Sequence, residues 1–327
     1  MNSTPDHRSM AETAAALWQI DPATLAPVSS RAHAVYAGRL EGNPVYLRLT
    51  NPQFRSFIET QAECDFLAHL EHQGVAVAAP LRSARERHVE TVAASDEAGP
   101  EWSAVVFGEA PGAEVTYGSE AWNDAFVTAW GQALGRMHQA ALAWRPVAGW
   151  ERKHWDEDYW IRNAYLLLPA EDTHALVQYE VLMAYFRDLP RTPETYAMTH
   201  GDFAPQNFRY DPVRGITAFD FANAGYHWLM WDLATSLSFG LRLGQSERHR
   251  FRTALIRGYG AEFPAGLAHM EQLDWFLRLR VFYVYLSRLW WFGPQPTPEQ
   301  QRILAHWRRL IDQPIRWRND PAQLDGP

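Results

Sequence analysis

Thr199-His200-Gly201-Asp202-Phe203-Ala204-Pro205-Gln206-Asn207, then Ile216-Thr217-Ala218-Phe219-Asp220-Phe221 and finally Asp232, is the stretch on which the reading of this chain turns. Asp202 and Asn207 stand five residues apart in a loop that contains Gly201 and Pro205. Residues 207–211 and 215–221 have the composition of two short strands, joined across Asp211-Pro212-Val213-Arg214-Gly215 by turn-forming residues. A hairpin so placed folds back and lets Asp220, at its strand end, face the Asp202–Asn207 loop. Two carboxylates and an amide oxygen then meet, a hard-oxygen set suited to Mg²⁺, which keeps places for water and phosphate. In a phosphoryl transfer Asp202 would sit beside the attacking hydroxyl, while Asn207 and Asp220 hold the metal that neutralises phosphate charge. A lone Asp reads more simply as a turn or strand-end residue. The order and spacing of the whole string outweigh that reading.

Working outward towards the amino terminus, residues 33–37 and 44–49 are β-type runs joined by Arg39-Leu40-Glu41-Gly42-Asn43, which predicts a hairpin. Asn51-Pro52 then offers an N-cap and a first-turn proline for a helix running to Gly74. Phe54, Ile58, Ala62, Phe66 and Leu70 recur on its expected buried face. Two more strands are expected at 89–94 and 103–107, and Gly108-Glu109-Ala110-Pro111-Gly112 breaks the pattern at a lobe boundary. Beyond it, residues 120–143, 174–188 and 270–292 have helical periodicity. The expected architecture is an α+β fold of two lobes, a small β-rich one with one main helix and a larger, mostly helical one. The corresponding division is an extension at 1–24, a first lobe at 25–110 and a second at 111–327.

Composition narrows the function. At 327 residues, 47% hydrophobic, with 15 Trp, the chain has ample material for a core. A net charge of −8 disfavours a nucleic-acid binder that relies on a basic stripe. Cys64 is the only cysteine, so neither an intramolecular disulfide nor a multi-thiolate zinc site can form, and a reducing compartment fits. No signal-peptide core and no window of about 20 uncharged apolar residues occurs, which points to a cytoplasmic protein that does not engage a membrane. Lys153 is the only lysine, and it follows no glycine-rich turn, so a Walker A loop is excluded. Neither Gly-x-Gly-x-x-Gly opening a βαβ unit nor Gly-x-Ser-x-Gly is present. The 13 His show no His-x-x-x-His metal pair.

Together these motifs make the chain resemble the aminoglycoside phosphotransferase and choline kinase superfamily, over most of its length. His200-Gly201-Asp202 with Asn207 is similar to that family's catalytic loop, and Phe219-Asp220-Phe221 to its metal-binding motif. Asp232 resembles the buried Asp that braces the loop, and Gly135 with His138 the family's Gly-x-x-His helix. Arg48, within Tyr46-Leu47-Arg48-Leu49-Thr50, is similar to the strand residue that reaches the nucleotide phosphates, and Glu63 to its helix partner. Val105-Val106-Phe107-Gly108-Glu109 resembles the hinge, where Phe107 and Glu109 would meet the nucleotide. The resemblance implies a protein-kinase-like fold and transfer of the γ-phosphate of ATP or GTP, with Mg²⁺, to a small-molecule hydroxyl. Candidate acceptors are an aminoglycoside, an amino alcohol, homoserine or a sugar-like molecule.

The chain departs from the family pattern in three places. Arg stands at position 48 instead of Lys, and a guanidinium still grips phosphate in bidentate fashion. Ser29-Ser30-Arg31-Ala32-His33-Ala34 occupies the place of the nucleotide-covering loop but has no glycine, so Ser29 and Ser30 would supply hydroxyls or backbone amides. Ala222-Asn223 follows Asp220 where many relatives carry further acids. His200 reads as loop-orienting support and not as the base, because the neighbouring carboxylate fills that role. The acidic run Asp156-Glu157-Asp158 beside Trp155, Tyr159 and Trp160 is an exposed turn on the simpler reading and a cationic-substrate site on the other. Only twelve positions separate Asp220 from Asp232, too few for the activation segment of eukaryotic-type protein kinases. Two alternatives remain beside the small-molecule kinase: a bacterial stress-response type Ser/Thr protein kinase, and a non-catalytic nucleotide-binding regulator. Nothing in the chain speaks for a particular oligomeric state.

Overall fold

A computed structural model describes residues 7–30, 33–93 and 100–313. The first half is a twisted antiparallel sheet. Strands β1 (Ala26–Ser30), β2 (His33–Leu40), β3 (Asn43–Thr50), β4 (Pro80–Leu81), β5 (Glu90–Ala93) and β6 (Glu101–Gly108) lie in the order β1-β2-β3-β6-β4, with β5 also paired to β6. The β2–β3 turn is tighter than its composition suggests. Leu40 pairs with Asn43, so only Glu41 and Gly42 turn the chain, both at positive φ, as a two-residue hairpin requires.

Alternation assigns the two faces of this sheet. Ala34, Tyr36, Val45, Leu47, Leu49, Ala104 and Val106 are buried on one side. They share a core with Met10, Ala11, Ala14 and Ala15 of helix α1 (His7–Leu17), so residues expected in an extension pack as part of this lobe. On the other side lies α2 (Phe57–His72), and there the row Val35–Arg48–Val105 runs across three strands.

Helix α2 does not begin at Asn51-Pro52. The Asn51 side chain accepts from Gln53 N in a local turn, and the helix starts after Ser56 through a reciprocal capping box with Glu59. Two satisfied amides outcompete a lone Asn-Pro signal. The shift leaves Phe54 and Ile58 exposed, while Ala62, Phe66 and Leu70 are buried as expected and Glu63 joins them.

The second half is mostly helical. Its helices are α3 (Asp124–Ala143), α4 (Tyr159–Arg162), α5 (Ala164–Leu167), α6 (Thr173–Asp188), α7 (Met230–Ser238), α8 (Gln245–Glu262), α9 (Leu273–Phe292) and α10 (Pro298–Asp312). Two small antiparallel pairs sit among them: β7 (Tyr196–Thr199) with β10 (Gly225–Trp228), and β8 (Phe208–Asp211) with β9 (Gly215–Ala218). The second strand of the β8–β9 hairpin is shorter than expected, and Asp220 lies beyond its end. Ala78 N to Ala218 O at 2.8 Å and Ala218 N to Ala76 O at 3.0 Å tie this hairpin to the segment after α2, which sets the two lobes edge to edge.

Helices α3 and α8 cross backbone to backbone. A Cβ at Gly131 would lie 2.1 Å from the Leu255 carbonyl oxygen, and one at Gly258 2.1 Å from that of Thr128. In an isolated helix Gly258→Ala would gain about 1 kcal/mol of propensity. Here it is expected to lose about 1–3 kcal/mol instead, because the helices must separate to admit the methyl group. A lowered urea midpoint at unchanged slope checks this.

Candidate active site

The loop between β7 and β8 is held from below by a buried carboxylate. Asp232, in the first turn of α7, has no solvent exposure and accepts from the backbone amides of His200 at 2.7 Å and Gly201 at 2.8 Å. His138 of α3 stands 3.4 Å from the same carboxylate, with its other ring nitrogen 2.9 Å from the Tyr259 hydroxyl. Burial alone would raise the Asp232 pKa, but His138 and the loop amides hold it below the ordinary carboxylate range. Gly201 is at φ +82°, and a Cβ there would lie 2.2 Å from the Asn223 carbonyl oxygen, so no other residue fits.

His200 has both ring nitrogens engaged. Nδ1 accepts from Asp202 N at 3.3 Å, which leaves Nε2 to donate to the Phe219 carbonyl at 3.0 Å. It therefore ties the loop to the end of the β8–β9 hairpin. Asn207 points its amide nitrogen at Asp202, 2.8 Å from the backbone oxygen and 3.1 Å from Oδ2. The other carboxylate oxygen, Oδ1, accepts from Arg280 of α9 at 2.6 Å. Arg280 is stacked between the Trp231 and Tyr283 rings, 5.8 and 5.6 Å from their centroids. The Asp202 side chain stays 23% exposed, so a substrate can reach it.

Asp220 adopts a left-handed backbone conformation, φ +60°, immediately after Phe219. Asp220 is exposed to solvent within the recess of the cleft, and its carboxylate accepts no hydrogen bond from any described residue. The desolvation of that recess raises its pKa despite the nearby Arg48. The donor chemistry fits a hard cation. Asn207 has committed its nitrogen to Asp202, so its oxygen is the end left for a metal, and Asp220 is a carboxylate without a partner. Among the described residues no group of three or more His, Cys, Asp or Glu is arranged to hold a metal. Most of the coordination sphere is thus left to water and phosphate, as Mg²⁺ prefers.

Across the cleft, the Arg48 and Glu63 side chains form a bidentate pair at 2.8 and 2.9 Å, almost fully buried, with the Arg48 guanidinium 5.0 Å from the Phe107 ring centroid. Burial works against both charges. Each is nonetheless held in its ionised form, Arg48 by Glu63 and Asp220, and Glu63 by Arg48 and Arg152. Arg152 is the link that sequence reasoning missed. Buried between the lobes, it donates to the carbonyls of Ala224 and Ala222, each at 2.7 Å, and of Glu59 at 3.1 Å, and lies 3.6 Å from Glu63. Burial pushes its pKa down to about 10. Arg55 adds a second crossing, donating to Ala222 O at 3.1 Å.

These groups border one cleft of about 1900 Å³, lined by Ser29, Arg48, Phe107 and Glu109 on one side and Asp202 and Asp220 on the other. Ser29 belongs to strand β1 instead of a loop, and pairs with Val35. Ser30 continues that strand opposite Ala34; its side chain, like Arg31 and Ala32, lies outside the described residues. The acidic run is mostly used up locally. Asp156 pairs with Arg191 at 2.9 Å, Glu157 accepts from His154 N, and Asp158 accepts from Trp160 N. Of the three only Asp158 borders the cleft, where burial raises its pKa.

A model of the phosphotransferase enzyme family matches residues 24–276. The chain belongs to that family. Amicoumacin kinase of Bacillus subtilis (strain 168) is 28% identical over 289 residues, covering 85% of this chain and 84% of the relative. The solved structure of the amicoumacin kinase hAmiN with AMP-PNP, Ca²⁺ and Ami superposes with a TM-score of 0.88 at 27% identity, over 98% of this chain and 97% of that one. A microcompartment-associated aminopropanol kinase shares the fold, with a TM-score of 0.73 at 21% identity, over 92% and 94% of the two chains. The chain is thus a kinase of small-molecule hydroxyls with a protein-kinase-like fold. Among the described residues no helix is long and apolar enough to cross a membrane.

Because the folded pKa of Asp232 lies below its unfolded value of about 3.9, its contribution is complete above that pH and disappears as pH falls through the folded pKa. Asp232→Asn keeps the shape but removes the charge. It is expected to cost about 2–3 kcal/mol near neutral pH, and to flatten the acid limb of the stability profile below about pH 4. Denaturant titrations of both proteins from pH 3 to pH 7 give the comparison, and parallel acid limbs would contradict it.

Proposed function

We propose that the chain transfers the γ-phosphate of ATP, with Mg²⁺, to a hydroxyl of a small molecule, and that Asp202 is the base. The observation that carries this is the opening of Asp202 and Asp220 onto the same cleft as Arg48, with Asn207 hydrogen-bonded to Asp202 just behind that wall. Asp220 and the Asn207 oxygen would hold the metal. Bound there, Mg²⁺ supplies charge neutralisation on the transferring phosphate. Arg48, oriented by Glu63, stands on the opposite wall to meet phosphate oxygens. Phe107 and Glu109 lie where the sheet passes into the second lobe, placed to meet the base of the nucleotide. ATP is favoured over GTP by the AMP-PNP bound to hAmiN.

Asp202 needs no metal contact for its part. Both carboxylate oxygens are fixed, one by Arg280 and one by Asn207, and each keeps a second lone pair able to take the acceptor's proton. This orients the base before substrate arrives. Acceptor binding falls to the side of the cleft formed by Tyr159, Trp160 and Trp290, whose rings lie 5.0 to 6.0 Å from one another, and Trp291, 4.7 Å from Trp290. A small-molecule acceptor is supported over a protein by the amicoumacin kinase relatives. The full set of oxygen ligands speaks against a non-catalytic regulator.

Asp202→Ala is expected to lower kcat about 10²-fold or more with nucleotide binding retained, as positioned proton acceptors contribute on that scale. Asp220→Ala is expected to abolish the Mg²⁺-dependent part of the ATP thermal shift. The acceptor panel comprises amicoumacin, aminoglycosides, amino alcohols, homoserine and sugars. Wild-type turnover by Asp202→Ala would remove the base assignment.

A further inference from the structure

The side of the cleft formed by α9 and α10 carries positive charge that the transfer chemistry uses only at Arg280. Arg242 in the turn after α7, Arg280 of α9, and Arg302 and His306, four positions apart on α10, all border it. The chain as a whole has net charge −8, so this concentration runs against the protein's own balance. Arg242 lies over the Phe239 ring at 5.7 Å, and Arg280 is sandwiched between Trp231 and Tyr283. Stacking on aromatic faces holds a guanidinium in place while leaving its in-plane N–H groups free for an acceptor.

The carboxylates that border the cleft do not neutralise this group. Asp202 pairs with one terminal nitrogen of Arg280, and the other has no acceptor among the described residues. Asp220 faces Arg48, Glu109 lies past the end of β6, and Asp158 accepts from Trp160 N. Glu299, in the first turn of α10, is more than 4 Å from the nitrogens of Arg242 and Arg302, neither of which forms an ion pair among the described residues. The charged groups that act on Arg242 and His306 are themselves cationic. Burial and then Arg280 lower the Arg242 pKa, and burial, Arg309 and Arg242 lower that of His306. Like charges converging on open space are relieved by an anion between them.

We infer that the acceptor carries an anionic group, a carboxylate or a phosphate ester, bound by Arg242 and Arg302 beside His306, with its hydroxyl presented to Asp202. This rests on the kinase reading above and adds the substrate's charge to it. Arg280 bridges the two functions, one terminal nitrogen on the base and the other towards the anion. The acidic run considered for a cationic substrate contributes only Asp158 to the cleft, at the aromatic side.

The test uses the full chain saturated with ADP and Mg²⁺, so that the nucleotide phosphates already occupy their own site. Thermal shifts are read with 4-hydroxyphenylacetate, its amide, tyramine and phenyl phosphate, probes matched in ring and differing in charge. One or both anions are expected to raise Tm where the amide and the amine do not, and whichever acts identifies the anion. In Arg242→Gln/Arg302→Gln the anion's half-saturating concentration is expected to rise roughly tenfold or more, the loss of charge-assisted hydrogen bonds. Arg242→Lys/Arg302→Lys should restore much of it. An equal or larger response to the amide or the amine, or no response to either anion while the ADP shift is intact, overturns the inference and leaves the kinase reading standing. Failure of that reading shows separately, as loss of the Mg²⁺-dependent ADP shift in the wild-type protein.

Discussion

A single buried carboxylate sets the geometry of the transfer site. Asp232 takes up two consecutive backbone amides, those of His200 and Gly201, and is itself backed by His138 from a different helix. An ionised group without solvent contact is tolerable only if its lone pairs are filled, so the loop cannot shift without leaving charge and amides unpaired. From that anchor the rest follows in order. Gly201 turns under the Asn223 carbonyl, His200 reaches the Phe219 carbonyl, and Asp202 and Asp220 are presented to the same opening.

A second buried acid, Glu63, does the equivalent work across the cleft. It meets Arg48 from β3 and Arg152 from the second half of the chain, and Arg152 continues to the carbonyls of residues 222 and 224 just past Asp220. Strand, helix and the segment after Asp220 are thereby wired to one carboxylate. Such a network contributes little net stability compared with apolar packing, but removing one member strands a buried charge at a cost of about 3–5 kcal/mol. Its value is positional. It fixes the distance between Arg48 and Asp220, the quantity on which the proposed in-line transfer would depend.

Much of this was legible in the sequence where the chemistry is local. The spacing of Asp202 and Asn207 and the hairpin that brings Asp220 back both depend on near neighbours. The start of α2 was misplaced because two local signals competed and the capping box at Ser56–Glu59 prevailed over Asn51-Pro52. Helix α1 falls within the expected extension because its Ala-rich face is apolar only in relation to the sheet that covers it. Arg152 and Arg280 escaped notice for a different reason. Each lies on a segment remote from the motif it serves, 70 and 78 positions from its partners Ala222 and Asp202, and a lone Arg in a loop or on a helix reads as solvated surface until the tertiary structure closes over it.

The two arginines also show what guanidinium groups contribute to a cleft whose only ammonium is Lys153, the one lysine of the chain. An ammonium is a strongly hydrated point charge that loses its proton readily when buried, whereas a guanidinium keeps its charge and can serve two acceptors at fixed angles. Arg48 uses both terminal nitrogens on Glu63, Arg152 divides three nitrogens among carbonyls from both lobes, and Arg280 holds Asp202 with one terminal nitrogen while its face is occupied by aromatic rings. In each case planarity does what charge alone would not. Substituting lysine at position 280 would retain the charge but give up the stacked, directional grip that holds the Asp202 carboxylate in one orientation.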